Sequence, residues 1–394
     1  MKRVIQKVVV ISIVNILMLN CIFATTYLYE KGKKDVVAKA VFNFESAAQI
    51  LIEPTTKKVI YENNADEKLL PASVTKIMTI LLLMDSIDAG KIKYTDKIRC
   101  SANACGLGGS QIWCKENEEL TVDDCLKAIC VVSANDVAVA IAEHIGGSVE
   151  NFVAMMNEKA RTLNMTNTHF MNPHGIDEEN HYTSARDIAA MSIELINKHP
   201  SILKYTSIWM DTLRDGTFGL TNTNKLIRFY QGATGLKTGS TSSAGFNLSA
   251  TATRNNLTFL AIVLKAPSSA IRNEEVKQLL DYGFNNYQST RLINKNESLG
   301  KIKIYKSKIE EIEIIQNKDI NYIADKGNCK DIKREILLEK NLKAPIKAGT
   351  KVGEIIFKNE NNILRKEDIK IKTNIEKIKF LEMLTKIVLK EIKL

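Results

Sequence analysis

Apolar positions follow two rhythms along this chain. Up to about residue 290, short apolar strands bracket a series of helical patterns. Beyond residue 292 the pattern changes to alternation of apolar and charged residues. Residues 49–52 and 58–61 are short apolar runs separated by Pro54-Thr55-Thr56-Lys57, which predicts a β-hairpin. Leu69-Leu70-Pro71-Ala72 leads into residues 77–83, with Pro71 placed to start a helix. That stretch is apolar nearly all round, so it should be a buried central helix. Helical spacing recurs over residues 122–132, 134–144, 149–163 and 184–197, and Gly146-Gly147 stops one helix before the next. Residues 246–253 and 257–265, joined by Arg254-Asn255-Asn256, read as a second hairpin, followed by a helix over 274–284. Strands at both ends with helices between them predict an α/β (α+β) domain over residues 45–290. Its antiparallel sheet is closed by its first and last segments and flanked by helices.

In the second part, Lys301-Ile302-Lys303-Ile304-Tyr305 and Glu311-Ile312-Glu313-Ile314 alternate with period two, as half-buried strands do. A turn at Ala344-Pro345-Ile346-Lys347-Ala348-Gly349 precedes another strand over 352–357. Together these predict a small all-β domain over residues 291–362. The remaining segment, 363–394, is expected to end in an amphipathic helix over 375–394. Ile378, Leu381, Leu384, Ile387, Val388 and Ile392 form its apolar stripe, and Lys377, Lys379, Lys386, Lys390 and Lys393 surround it. A basic amphipathic helix can lie in an anionic membrane surface; the other reading is a helix packed on the β domain.

The 394 residues allow about two domains, and 45% hydrophobic with 25% charged residues is ordinary for a globular chain. A net charge of +10 favours an acidic partner such as anionic lipid or wall polymer, or is simply a lysine-rich solvated surface. Without zinc-finger spacing, an Arg-rich arm or an aromatic-basic RNA motif, nucleic acid is not expected as a partner. Lys2, Arg3 and Lys7 precede an apolar run over residues 8–23 and the small residues Ala24-Thr25-Thr26. This is the pattern of a secretory signal peptide over 1–26, followed by a linker over 27–44. An uncleaved membrane anchor is the alternative. Export permits disulfides, yet Cys100, Cys105, Cys114, Cys125, Cys130 and Cys329 lack paired CxxC spacing. They read as small buried hydrophobes with room for one disulfide, and no metal site is expected.

Three short motifs carry the chemistry. Ser73-Val74-Thr75-Lys76 puts a hydroxyl and an amine on one face of a helix, one turn apart. Serine is a weak nucleophile until a base takes its proton, and lysine serves as that base only when burial or a second cation lowers its pKa. Lys237 is the candidate second cation. Ser133-Ala134-Asn135 lies between two helical patterns. Alone, Ser133 reads as an N-cap; within the constellation, Ser133 would pass a proton to the leaving amine and Asn135 would position Lys76 and the substrate amide. In Lys237-Thr238-Gly239-Ser240, a lysine and a threonine can grip a carboxylate, and Gly239 would let substrate backbone lie close. The Ser73 and Ser240 N–H groups are then candidate oxyanion donors. Each motif alone has a bland explanation, as a helix-surface pair, a cap or a turn. All three in this order are the signature of penicillin-interacting serine enzymes.

The resemblance goes further. The segments from Pro71 to Lys76, Asn172-Pro173-His174-Gly175, Gly235-Leu236-Lys237-Thr238-Gly239 and Ala244-Gly245-Phe246-Asn247-Leu248 look like those of the D-alanyl-D-alanine carboxypeptidases, the low-molecular-mass penicillin-binding proteins. The similarity covers roughly residues 47–287 and, more loosely, the β domain. It implies removal of the terminal D-Ala from peptidoglycan stem pentapeptides through a Ser73 acyl-enzyme, inhibition by β-lactams, no cofactor, a place on the outer face of the cytoplasmic membrane, and a C-terminal amphipathic anchor. It also places Arg272 near the substrate carboxylate. Two departures stand out: cysteines flank Gly106-Leu107-Gly108-Gly109-Ser110, and Ser240 stands where some relatives have histidine.

Two other classes share the motifs. A class A β-lactamase needs a further carboxylate to activate water; Glu178 and Glu179 lie in the right region but in a different setting. A non-catalytic penicillin sensor or wall-binding protein would usually add a signalling module or lack Lys76 or Ser133. Residues 106–110 lack the Gly-Lys-Ser/Thr ending of a phosphate loop. His169, His174 and His181 lack metal-ligand spacing and read as loop residues.

Overall fold

The computed structural model of the chain describes residues 42–326, 332–359 and 362–391. The expected signal segment, most of the 27–44 linker and Cys329 lie outside them. Strand β1 (Ala48–Glu53) is buried along its whole length and pairs with β2 (Lys58–Asn63) as the expected hairpin. The chain then enters helix α1 (Lys76–Asp88), in which every residue from Lys76 to Met84 is buried. An all-round apolar helix has to be covered on every side, and the helices over residues 135–146, 149–162 and 185–198 pack against it. Before α1, residues Ala72–Thr75 form a tighter 3₁₀ turn, and Ala72 takes the left-handed φ of 48°.

The helical pattern over 122–132 is interrupted. Helix α2 (Val122–Lys127) widens into a π turn over Ala128–Val132, which ends at Ser133 with φ 65° and ψ 35°. Ser133 is therefore not the N-cap of the next helix: that position is taken by Ala134, ahead of α3 (Asn135–Gly146). Helices α4 (Val149–Thr162) and α5 (Ala185–Lys198) follow, each with a serine hydroxyl capping its N-terminus.

Three more strands complete the sheet: β3 (Ala233–Thr241), β4 (Gly245–Arg254) and β5 (Leu257–Ala266). The order is β2-β1-β5-β4-β3 and every pairing is antiparallel. The first strand thus closes on the last, as the hydrophobic pattern predicts, and β3 is left at an edge. Helix α6 (Ser269–Asn286), longer than expected, packs on β5 and β4.

The second part begins directly after α6 with β6 (Tyr287–Ile293). It continues through β7 (Ser298–Tyr305), β8 (Glu311–Ile315), β9 (Ile320–Asp325), β10 (Ile332–Leu338), β11 (Leu342–Lys343), β12 (Lys351–Asn359) and β13 (Asn362–Lys370). These pair as β6-β9, β8-β7-β11 and β10-β12-β13 around a core of Ile302, Ile304, Val352, Ile355 and Phe357. The expected boundary at 362/363 is wrong. Strand β13 pairs with β12 along its length, and Ile369, Ile371, Ile375 and Ile378 are buried. The lysines within 363–379 line solvent-facing positions rather than marking a separate tail. The terminal helix α7 (Phe380–Glu391) starts five residues later than its apolar pattern suggests. Phe380, Leu381 and Leu384 are exposed on it, so α7 does not bury these residues against the β unit. Among the described residues, no helix is long and apolar enough to cross a membrane.

These environments predict opposite responses to losing a leucine. Leu81→Ala in α1 should cost about 2–5 kcal/mol of unfolding free energy, whereas Leu381→Ser in α7 should stay within about 0.5 kcal/mol. Denaturant melts of the two variants check this, and equal losses would contradict the burial assigned to α1.

Candidate active site

Two segments distant in sequence, at Asn135 and His174, meet the neighbouring Ser73 turn at the Lys76 amine. The side chain is wholly buried, and its Nζ lies 2.8 Å from Ser73 Oγ, 2.6 Å from Asn135 Oδ1 and 2.7 Å from the His174 carbonyl oxygen. Burial pushes the Lys76 pKa well below its ordinary value. The positive charge of Lys237 lowers it further, and Asp136 partly opposes both. A neutral amine has two N–H bonds and one lone pair. The His174 carbonyl can only accept. Asn135 presents its Oδ1, because its Nδ2 donates to the Gly108 carbonyl at 2.7 Å. In the neutral form both amine hydrogens go to these two acceptors, and the remaining lone pair is free to accept from the Ser73 hydroxyl. The geometry sets Ser73 Oγ within hydrogen-bond reach of the Lys76 nitrogen.

Each contact depends on local backbone. The loop Asn172–Gly175 turns sharply enough to aim the His174 carbonyl inward because Gly175 has φ +91°. A Cβ there would fall 1.9 Å from the Ala72 carbonyl oxygen. Asn172 Oδ1 accepts from the Gly175 N–H at 2.7 Å, and Thr79 Oγ1 donates to the Pro173 carbonyl at 2.6 Å. His181 accepts from the Met171 N–H at Nδ1, so its Nε2–H faces Thr75 Oγ1 at 2.9 Å. Burial lowers the pKa of His174 to about 3 and that of His181 to about 4, so both stay neutral near pH 7. Asn135 is held in turn by its N–H, which donates to the Ser110 carbonyl at 2.7 Å. Next to it, the buried Asp136 carboxylate accepts from the Ile112 and Cys114 N–H groups. The glycine-rich loop 106–110 therefore braces Asn135 and has no phosphate-loop geometry to offer.

Strand β3 forms the facing wall. Lys237 is buried, and its Nζ donates to the Thr238 carbonyl at 3.0 Å. Burial lowers its pKa to about 7; nearby Arg272 adds to the shift and Cys130 opposes it. Thr238 Oγ1 donates to Thr223 Oγ1 at 2.7 Å. A Cβ on Gly239 would meet the Pro71 carbonyl oxygen at 2.8 Å and the Ser73 amide nitrogen at 2.9 Å. The glycine is thus needed for the turn carrying Ser73 to press on β3. Ser240, one residue on, is exposed. Ser133 Oγ is buried and has no hydrogen-bond partner among the described residues, an unusual state for a hydroxyl and one that suits an incoming group. Arg272 is also buried; its guanidinium is bonded to Asn273 Oδ1, and burial lowers its pKa to about 10. Its positive charge contributes to lowering the Lys237 pKa.

The structure therefore gathers Ser73, Lys76, Asn135, Lys237, Thr238 and Gly239 with Ser133 and Ser240 at one site, with Arg272 close enough to lower the Lys237 pKa. Sequence reasoning missed the His174 carbonyl, Gly175, Asp136 and Thr223. Only the matched segment Asn172–Gly175 gave any signal for the first two. Among the described residues no group of metal-ligating side chains occurs, and five cysteines are free thiols, with those of Cys100 and Cys114 in hydrogen-bond contact.

A helical domain inserted in an antiparallel sheet, with a serine–lysine pair at the sheet's edge strand, defines the class of penicillin-interacting serine hydrolases. The profile described as D-alanyl-D-alanine carboxypeptidase matches residues 34–268, and that of the penicillin-binding protein 5 C-terminal domain matches residues 287–377. D-alanyl-D-alanine carboxypeptidase DacF of Bacillus subtilis is 41% identical over 357 residues, spanning 90% of this chain and 92% of the relative. DacC of Escherichia coli, a D-alanyl-D-alanine carboxypeptidase too, is 31% identical, with 84% of each chain covered. The crystal structure of penicillin binding protein 5 from Haemophilus influenzae superposes with a TM-score of 0.73 at 28% identity, over 86% of this chain and 99% of that one. The chain belongs to the D-alanyl-D-alanine carboxypeptidase family.

Gly175→Ala should lower stability by more than the roughly 1–3 kcal/mol of a strained backbone, because the methyl also collides with Ala72. Gly108→Ala, where nothing lies within 4 Å of the added carbon, should leave the melting midpoint unchanged. Thermal unfolding of both variants is the check.

Proposed function

We propose that this serine-type D-Ala-D-Ala carboxypeptidase removes the terminal D-Ala of a peptidoglycan stem pentapeptide through an acyl-enzyme on Ser73. The observation that carries the reading is the wholly buried Lys76 amine in contact with Ser73 Oγ at 2.8 Å. Ser73 Oγ attacks the carbonyl carbon of the penultimate D-Ala while Lys76 takes its proton. The Ser73 and Ser240 N–H groups hold the oxyanion, a contribution worth ~10²–10³ in rate per donor. Ser133 relays that proton from Lys76 to the departing D-Ala nitrogen, giving up its own and taking the one on Lys76 as the C–N bond breaks, which leaves an ester on Ser73 and Lys76 neutral again. Water then cleaves that ester, and the proton it releases returns Ser73 to its hydroxyl form. Asn135 positions Lys76. Cationic Lys237 and the Thr238 hydroxyl hold the terminal carboxylate, and Gly239 keeps β3 against the Ser73 turn. Arg272 adds its positive charge to the binding of that carboxylate. β-Lactams acylate the same serine and act as inhibitors.

In this reading, residues 1–26 direct export, 27–44 form a linker, and 45–290 form the catalytic domain. The enzyme works on the outer face of the cytoplasmic membrane, in the cell-wall space. Helix α7 rests on the anionic membrane surface through exposed Phe380, Leu381 and Leu384.

Fluorescent penicillin should label the purified protein, the label should be lost slowly, and D-Ala should be released from a stem pentapeptide. Ser73→Ala should lose both activities. Rapid loss of label without D-Ala release would indicate a β-lactamase, and stable label with no D-Ala release a sensor. Lys76→Met should reduce D-Ala release by roughly 10²–10⁴-fold, the usual worth of a general base.

The pH dependence follows from two lysines. D-Ala release requires neutral Lys76, so kcat/KM should rise as pH passes its depressed pKa, well below the ordinary lysine range. It also requires cationic Lys237, so kcat/KM should fall above about 7. Lys237→Arg keeps its charge, and in that variant the alkaline fall should move to higher pH. A fall at the same pH would assign it to another group.

A further inference from the structure

One cross-strand pair of β3 and β4 meets the turn that carries Ser73: Gly239 lies opposite Asn247. Opposed residues project from the same face of a sheet. Gly239 lets the turn come close, since a Cβ there would meet the Pro71 carbonyl oxygen and the Ser73 amide nitrogen. Asn247 ties the turn down. Its Nδ2 donates to the Leu70 and Pro71 carbonyls at 2.9 and 3.0 Å. Its Oδ1 accepts from the Lys265 N–H at 2.7 Å. Carbonyls only accept and an N–H only donates, so the amide has a single possible orientation. Asn247 is wholly buried, so a bond lost there leaves a backbone group desolvated and unpaired.

Both ends of this amide meet strained backbone. Ala72 and Lys265 have φ of 48° and 56°, costly for residues with a side chain. Lys265 belongs to a bulge. Phe246 pairs with Ala266 and Leu248 with Val263, so Asn247 alone faces both Leu264 and Lys265. Ala72 bears on the chemistry, because it lies between the bonded Pro71 carbonyl and Ser73. The Pro71 carbonyl also accepts from the Val74 N–H, at the longer distance of 3.3 Å. We propose that Asn247 is a positioning residue for the nucleophile. Its two bonds to the turn hold Ala72 left-handed, which aims Ser73 Oγ at Lys76 and keeps the Ser73 N–H on the oxyanion. This inference rests on the Ser73 acyl-enzyme reading. Asn247 touches no reacting atom, so its loss should slow acylation and spare the carboxylate grip of Lys237 and Thr238.

Stopped-flow labelling with fluorescent penicillin at rising concentration separates the acylation rate constant from Kd. Rates are counted per labelled site, so that unfolded protein does not enter. Asn247→Leu fills the same volume without a polar group. It should lower the rate constant by roughly 10²-fold, the cost of a misplacement of about 1 Å, and leave Kd unchanged. Asn247→Asp keeps the acceptor for Lys265 and, when protonated, can hold one carbonyl, so its rate constant should fall between. Lys265→Gly, in which the φ of 56° is unstrained, should acylate like the unsubstituted protein. Added to Asn247→Leu, it should restore part of the stability in a denaturant melt but not the rate. Acylation of both Asn247 variants at the unsubstituted rate, or recovery of the rate by Lys265→Gly, would overturn the positioning role. If the unsubstituted protein is not labelled, or Ser73→Ala is labelled equally, the acyl-enzyme reading falls instead.

Discussion

Everything at the active site follows from taking the Lys76 amine out of water while leaving it three polar contacts. An ammonium loses several kcal/mol of solvation on such burial, and this pulls the Lys76 pKa well below its ordinary value. Its contacts come from the Ser73 turn, the first residue of α3 and the loop Asn172–Gly175. The central helix must be apolar all round so that Lys76 can sit at its first position without solvent. The surrounding backbones must come close enough for a carbonyl and an amide to reach a short-range target. Gly175 and Gly239 meet that demand: at both positions a Cβ would strike the turn that carries Ser73.

A second lysine in the same dry site divides the charge. Lys237 depresses the pKa of Lys76, while its own falls to about 7. A substrate carboxylate beside Lys237 favours the charged form of that lysine, and a charged Lys237 holds Lys76 neutral more firmly. On the proposed mechanism, substrate arrival and activation of the base would thereby be coupled electrostatically. Arg272, buried with its guanidinium held by Asn273, adds positive charge that lowers the Lys237 pKa.

Much of this was legible in the sequence because it depends on spacing. The Ser73–Lys76 interval, the all-apolar helix after it, the strand alternation and the closure of the sheet by its ends all follow from periodicity. What was hidden depends on contacts between distant segments. The His174 carbonyl has no residue-type signature, since every residue carries one. Asp136, Thr223 and Asn247 matter through partners that no interval along the chain reveals. Ser133 was open to two readings. Only the π turn, which leaves it left-handed with an unpaired hydroxyl, separates a cap from a group aimed into the site. The misplaced boundary at 362/363 has a similar cause. In β13 the charged residues face solvent, so its composition looks like a basic tail, while its pairing with β12 is invisible locally.

The account stands on the protonation state of Lys76. Heteronuclear NMR of protein labelled at lysine Cε and Nζ reads that state directly, with Lys76→Met identifying the resonance by its loss. The account predicts a resonance with neutral-amine shifts at pH 7 that titrates well below the ordinary lysine range. A Lys76 signal that keeps ammonium shifts up to the pH where exposed lysines titrate would contradict it.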